Sequence, residues 1–115
     1  MRKLIIIFGQ PRDLLEFATG WQAFLQMAEQ MPGLRRESVS LIEQVIYGEN
    51  KPFKIHEFYF DDRAALDAAL ASEAGQQAGE WLHQFTSGNF SLLIAPHQEA
   101  AAKDFKKKKG RARSA

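Results

Sequence analysis

The chain has 115 residues, 45% of them hydrophobic and 25% charged, with a formal net charge of +1 and no cysteine. Its length fits one domain with a single core, and the lack of cysteine excludes a disulfide scaffold, a cysteine nucleophile and a thiolate metal site. The near-neutral balance conceals a division: residues 103–115 hold seven Lys/Arg against Asp104, and residues 1–102 hold eight Lys/Arg against thirteen Asp/Glu, so an acidic body precedes a basic tail.

Arg2 to Phe8 reads as a strand, apolar on both faces through "LIIIF". That run is too short for a signal peptide's apolar region, and no run approaches the ~20 apolar residues of a membrane span. A soluble, cytoplasmic protein is expected. Gly9-Gln10-Pro11 ends the strand, and Asp13 is placed to cap a helix. Leu14, Phe17, Ala18, Trp21, Phe24, Leu25 and Ala28 then repeat at the spacing of one helical face. Gly20 weakens this helix by ~1 kcal/mol relative to alanine. Pro32 stops it, and Gly33 permits the positive φ of a helix exit.

Arg35 to Tyr47 reads as a second strand, Gly48 to Pro52 as a turn, and Phe53 to Phe60 as a third strand. The third strand has two faces, Phe53, Ile55, Glu57, Tyr59 and Lys54, His56, Phe58, Phe60. Asp61 or Asp62 caps the next helix, and Ser72-Glu73 looks like a fresh N-cap, so a break is expected near Ala71-Ser72. Gly75 and Gly79 weaken the second half. Asn89 to Ala95 is a fourth strand, ended by Pro96.

The order β-α-β-β-α-β is the ferredoxin-like arrangement, an α+β fold with both helices on one face of a four-stranded antiparallel sheet. It occupies residues 1–98, and residues 99–115 form a basic tail with the composition of a disordered segment. "LIIIF" and "FSLLI" are apolar on both faces, where a sheet with one wet face should alternate. A homodimer packing sheet against sheet would cover the second face. The alternative is that both runs are central strands.

The stretches "LIIIFGQPRDLLEF", "MPGLRRESVS", "HEFYFDDRAALDAALASEAGQQAGEWL" and "SGNFSLLIA" resemble the EthD family of dimeric α+β barrel proteins over roughly residues 3–96. The family is named for a small protein encoded with an ethyl tert-butyl ether degradation system. Relatives in fungal polyketide pathways are described as dehydratases or cyclases, and wider relatives include heme-degrading monooxygenases and muconolactone isomerases. Family members commonly carry a His-x-Pro before the Pro-Gly, and here the matching positions are Phe24 and Gln26. An imidazole exchanges protons near neutral pH and a phenyl ring does not, so the family's acid-base group does not carry over.

Of the three histidines, His56 shares a face with Phe58 and Phe60 and reads as structural, His83 falls on a helix, and His97 follows the last strand. None shows metal-ligand spacing, and no metal or cofactor is expected. Glu57 and Tyr59 are the catalytic candidates, because a carboxylate facing an inter-sheet cavity would be desolvated and its pKa raised. The competing reading pairs Glu57 with Arg35 or Arg36. Phe8, Trp21 and Phe24, with Glu57 and Tyr59, are the candidate ligand lining.

Two functions follow as expectations. One is a homodimer holding a small hydrophobic molecule, aromatic or polyketide-like, with or without catalysis. The other is a cofactor-independent lyase, isomerase or oxygenase using Glu57 or Tyr59. The tail is short and has only Phe105 for stacking, so solubilisation is expected of it rather than contact with nucleic acid or membrane.

Overall fold

The structure, a computed structural model, describes residues 1–107. Strand β1 (Arg2–Phe8) leads through Gly9-Gln10-Pro11 into helix α1 (Leu14–Ala28). Asp13 caps α1 as its sequence position implies, its side chain accepting from the backbone N–H of Leu15 at 2.9 Å and of Glu16 at 3.0 Å. The buried stripe of α1 is Phe17, Gly20, Phe24 and Ala28. Gly33, at φ 80°, makes the exit turn.

Strand β2 (Arg36–Leu41) is shorter than expected. Among the described residues its only strand partner is β3 (Lys54–Phe60), and the pairing ends at Leu41 opposite Lys54. Pro52 cannot donate to a ladder, so residues 42–47 have no strand beside them. A single bond, Ile42 N–H to the Phe53 carbonyl at 3.0 Å, closes the excursion. Ile46 and Tyr47 project into solvent.

Asp62, not Asp61, caps helix α2 (Arg63–Ala71), accepting from Ala65 N–H at 2.8 Å. Asp61 instead takes a two-pronged ion pair from Arg35, at 3.0 and 2.7 Å. The expected break falls at Ser72, which caps helix α3 (Glu73–Thr86) through Gly75 N–H at 3.1 Å. A side chain on Gly75 would run into the carbonyl of Ala69, so glycine there permits the tight junction. Strand β4 (Phe90–Pro96) follows, its last residue being the proline expected to end it. A short helix, α4 (Ala102–Lys107), falls in the segment expected to be a tail; residues 108–115 lie outside the described residues.

The four strands form one antiparallel sheet in the order β2-β3-β1-β4, the ferredoxin-like α+β fold. Leu4, Ile6 and Phe8 of β1 and Phe58 and Phe60 of β3 bury one face against Phe17, Phe24, Leu66 and Leu82 of the helices. The other face carries Lys3, Ile5 and Ile7 of β1, Ile55, Glu57 and Tyr59 of β3, and their cross-strand partners Arg36, Ser38, Ser40, Ser91, Leu93 and Ala95. No helix among the described residues is long and apolar enough to cross a membrane.

Candidate functional site

The alternation of β3 divides the candidate residues between two sides of the sheet. His56, Phe58 and Phe60 point toward the helices, and Glu57 and Tyr59 point the other way. Phe8, Trp21 and Phe24 belong to the helix side. The five residues expected to line one cavity are therefore split three and two, with the sheet between them.

On the open face, register brings Lys3 opposite Tyr59 and Ser38 opposite Glu57. The Lys3 ammonium lies 2.9 Å from one Glu57 oxygen. The other oxygen accepts from the Ser38 hydroxyl at 3.1 Å and from the Tyr59 phenol at 3.0 Å. Each hydroxyl has one proton and each spends it on the carboxylate. Partial burial pushes the Glu57 carboxyl up, but the bonds from Lys3, Tyr59 and Ser38 outweigh it, and the net shift is downward. The expected rise toward a general-base value is thus corrected, and the partner is a lysine rather than Arg35 or Arg36.

Arg36 instead lies over the Tyr59 ring, 4.3 Å from its centre. His97 meets the same ring edge-on at 4.8 Å and hydrogen-bonds Glu99 at 3.0 Å. Tyr59 is consequently 4% exposed although it stands on the open face. Its ring is packed between Arg36 and His97, and its hydroxyl is committed to Glu57.

On the helix side, Phe8 packs edge-on to Phe17 at 5.3 Å, and Phe24 packs against Phe58 and Phe85 at 6.2 and 6.1 Å. Both rings are filled-in core. Trp21, one turn from Phe17 and from Phe24 on α1, is only half-buried. Lys54 places its ammonium 3.3 Å from the centre of the indole, and the His56 ring lies 5.8 Å away.

His56 is fully buried and stacks on Phe58 at 4.3 Å. Its Nε2 meets a Glu37 oxygen at 2.8 Å. A carboxylate only accepts, so Nε2 carries the proton and Nδ1 is left with a lone pair. Neither Nδ1 of His56 nor Nε1 of Trp21 has a hydrogen-bonding partner among the described residues, and both atoms are buried. Burial, reinforced by the Lys54 charge and opposed by Glu29, lowers the His56 pKa to about 4, so the ring is neutral at neutral pH. A hydrogen bond with Glu37, together with burial, raises the carboxyl of Glu29 at the end of α1.

Reading His56 as structural captured its burial and missed its half-satisfied state. The available signal was parity: Glu37 of β2 and Lys54 and His56 of β3 all sit on faces otherwise reserved for apolar side chains. Among the described residues no cluster of three His, Asp or Glu is placed to hold a metal. Two hollows of about 330 and 520 Å³ lie elsewhere. The first is bounded by Gly9, Asp13 and Asn89, and the second by Leu15, Thr19 and Trp81; neither is lined by any of the five expected residues.

Comparison with known proteins finds no matching family model. The chain is similar to an EthD family protein from Bacillus halodurans, with 28% identity, 85% of this chain and 99% of that one covered, and a TM-score of 0.79. It is also similar to an uncharacterised 11.0 kDa protein of Rhodococcus erythropolis, 21% identical over 99 residues, covering 85% of this chain and 96% of the relative. A dimeric ferredoxin-like protein of unknown function from Jannaschia shares the fold at 17% identity and a TM-score of 0.60, with 84% and 100% covered. So does SnoaB, a cofactor-independent oxygenase from Streptomyces nogalater, at 14% identity and a TM-score of 0.61, with 88% and 96% covered. The resemblance to the EthD family thus holds in fold as well as in sequence pattern.

Proposed function

From an EthD-like fold of this kind, we propose that the protein is a homodimer that holds a small hydrophobic molecule. The observation that carries the reading is the state of β4. Sheet order puts β1 in the centre, which accounts for its double apolarity, but leaves β4 at an edge. There Leu92 and Ile94, on the helix side, and Leu93, on the open side, are 49%, 37% and 44% exposed. An apolar edge strand uncovered on both faces is a surface that native proteins blunt or bury. A second copy of the chain supplies a matching surface, with Ile5, Ile7 and Ile55 continuing it across the open face.

The proposed contact for the ligand is Trp21, the half-buried residue on the helix side; Phe8 and Phe24 belong to the packed core there. Glu57 and Tyr59 then contribute to the face between copies. The enzyme reading based on Glu57 or Tyr59 is the weaker one. Glu57 accepts from three donors, its pKa is lowered, and the Tyr59 proton is spent on it; a general base needs the opposite.

Native mass spectrometry of the full chain purified from its own cell tests both parts. The expected species is a dimer that retains a small apolar molecule. A stable monomer with no bound mass overturns the proposal.

A further inference from the structure

Buried polar atoms are paired in the great majority of cases, and an unpaired one costs about 1–3 kcal/mol. Two such atoms close together therefore call for a common explanation. The Trp21 indole N–H is a donor only. The Nδ1 of His56 is an acceptor only, because Glu37 fixes the proton on Nε2 at 2.8 Å. The two rings stand 5.8 Å apart between centroids, near enough for one oxygen, hydrogen-bonded at about 3 Å to each nitrogen, to be considered as their common partner. One atom that both accepts and donates can satisfy the pair. A carbonyl oxygen only accepts, an ammonium only donates, and a hydroxyl does both.

We propose that Trp21 Nε1–H and His56 Nδ1 form a binding site for one hydroxyl group carried by an otherwise apolar small molecule. The inference rests on the small-molecule reading above and narrows it to a chemical class. Each neighbour has a part in it. Glu37 sets the tautomer, and Lys54, over the indole face, fixes the plane of Trp21. Phe58, stacked on His56 at 4.3 Å, fixes the imidazole. Trp21 is the half-buried member of the pair, so the ligand's apolar body is placed on the Trp21 side of the site. His56 acts here as a hydrogen-bond acceptor, and no covalent step is involved.

The test is a nitrogen-15 NMR titration of the full chain with benzyl alcohol and with its hydroxyl-free counterpart, ethylbenzene. The two indole N–H signals, of Trp21 and Trp81, are told apart with Trp21→Phe. Benzyl alcohol should shift the Trp21 indole and the His56 Nδ1 signals. The Trp81 signal, whose N–H already bonds the Gly20 carbonyl at 2.8 Å, should stay still. Ethylbenzene should bind roughly tenfold more weakly, the loss expected when two hydrogen bonds go unmade. His56→Phe should erase that preference; Trp21→Phe should reduce it, and serves if His56→Phe does not fold. Equal binding of the two probes at Trp21 overturns the hydroxyl site and leaves the apolar-ligand reading standing. Binding that moves neither Trp21 nor His56 overturns the site alone, as does a bound water that bridges the two nitrogens and is not displaced by the alcohol. Absence of any binding overturns both readings.

Discussion

His56 and Glu57 are adjacent in the chain, and their ionisation is set by opposite causes. His56 loses water on burial and lies near the Lys54 charge, so its pKa falls to about 4. In the unfolded chain a histidine titrates near 6.5. Between those values the unfolded state takes up a proton that the folded state refuses, so stability declines as pH falls from about 6.5 to about 4. The full effect is at most about 3 kcal/mol. Denaturant unfolding at pH 7.5 and pH 4.5 should show a loss for the parent that exceeds the loss for His56→Gln by about 1–3 kcal/mol. Parallel pH profiles would sink the assignment. The raised carboxyl of Glu29 works in the other direction, so it blunts the slope in the parent rather than producing it. Glu57 was legible in the sequence only as a direction, since strand parity gave its face. Its partners come from β1 and β2 through register, which no local pattern encodes, and so the sign of its shift was not legible.

Among the elements, two of the three helical glycines, Gly20 and Gly79, have different reasons to be present. By propensity both Gly20 and Gly79 should improve on replacement by alanine. A Cβ on Gly20 would come within 2.6 Å of the Phe85 ring, where α1 and α3 cross and Trp81 bonds the Gly20 carbonyl. A Cβ on Gly79 meets nothing within 4 Å. Gly20→Ala is therefore expected to destabilise by about 1–3 kcal/mol through overpacking, and Gly79→Ala to stabilise by about 0.5–1 kcal/mol. Thermal melts of the two variants check this, and equal shifts in one direction would refute it. Signals that act locally were readable: the Asp13 cap, the Ser72 break and the Gly33 exit all appear where the residues put them. The end of β2 was not readable, because a strand stops where its partner stops. That partner begins after Pro52, on the far side of a loop.

At the scale of the molecule, double apolarity in two strands predicted an uncovered surface, and sheet order decides which strand needs a cover. Placing a charge on the open face of the edge strand, Leu93→Arg, should convert the proposed dimer to a monomer in light scattering at micromolar concentration. Gly79→Ala should leave the mass unchanged. A dimer that survives the arginine would place the contact elsewhere. Removing residues 103–115 takes away seven basic residues and one acid, and should move the melting temperature by no more than ~2 °C. A drop of ten degrees would mean that the segment docks on the acidic body. The sheet also works as a partition. Odd-numbered residues of β3 answer to whatever lies on the open face, and even-numbered ones to the helix side. If the proposed ligand and dimer faces hold, substitutions that retune ligand preference at position 56 need not disturb assembly at positions 55 and 57. Two properties can thus drift independently along seven consecutive residues, provided the chain never slips by one, because a single-residue insertion in β3 would exchange the two roles at once.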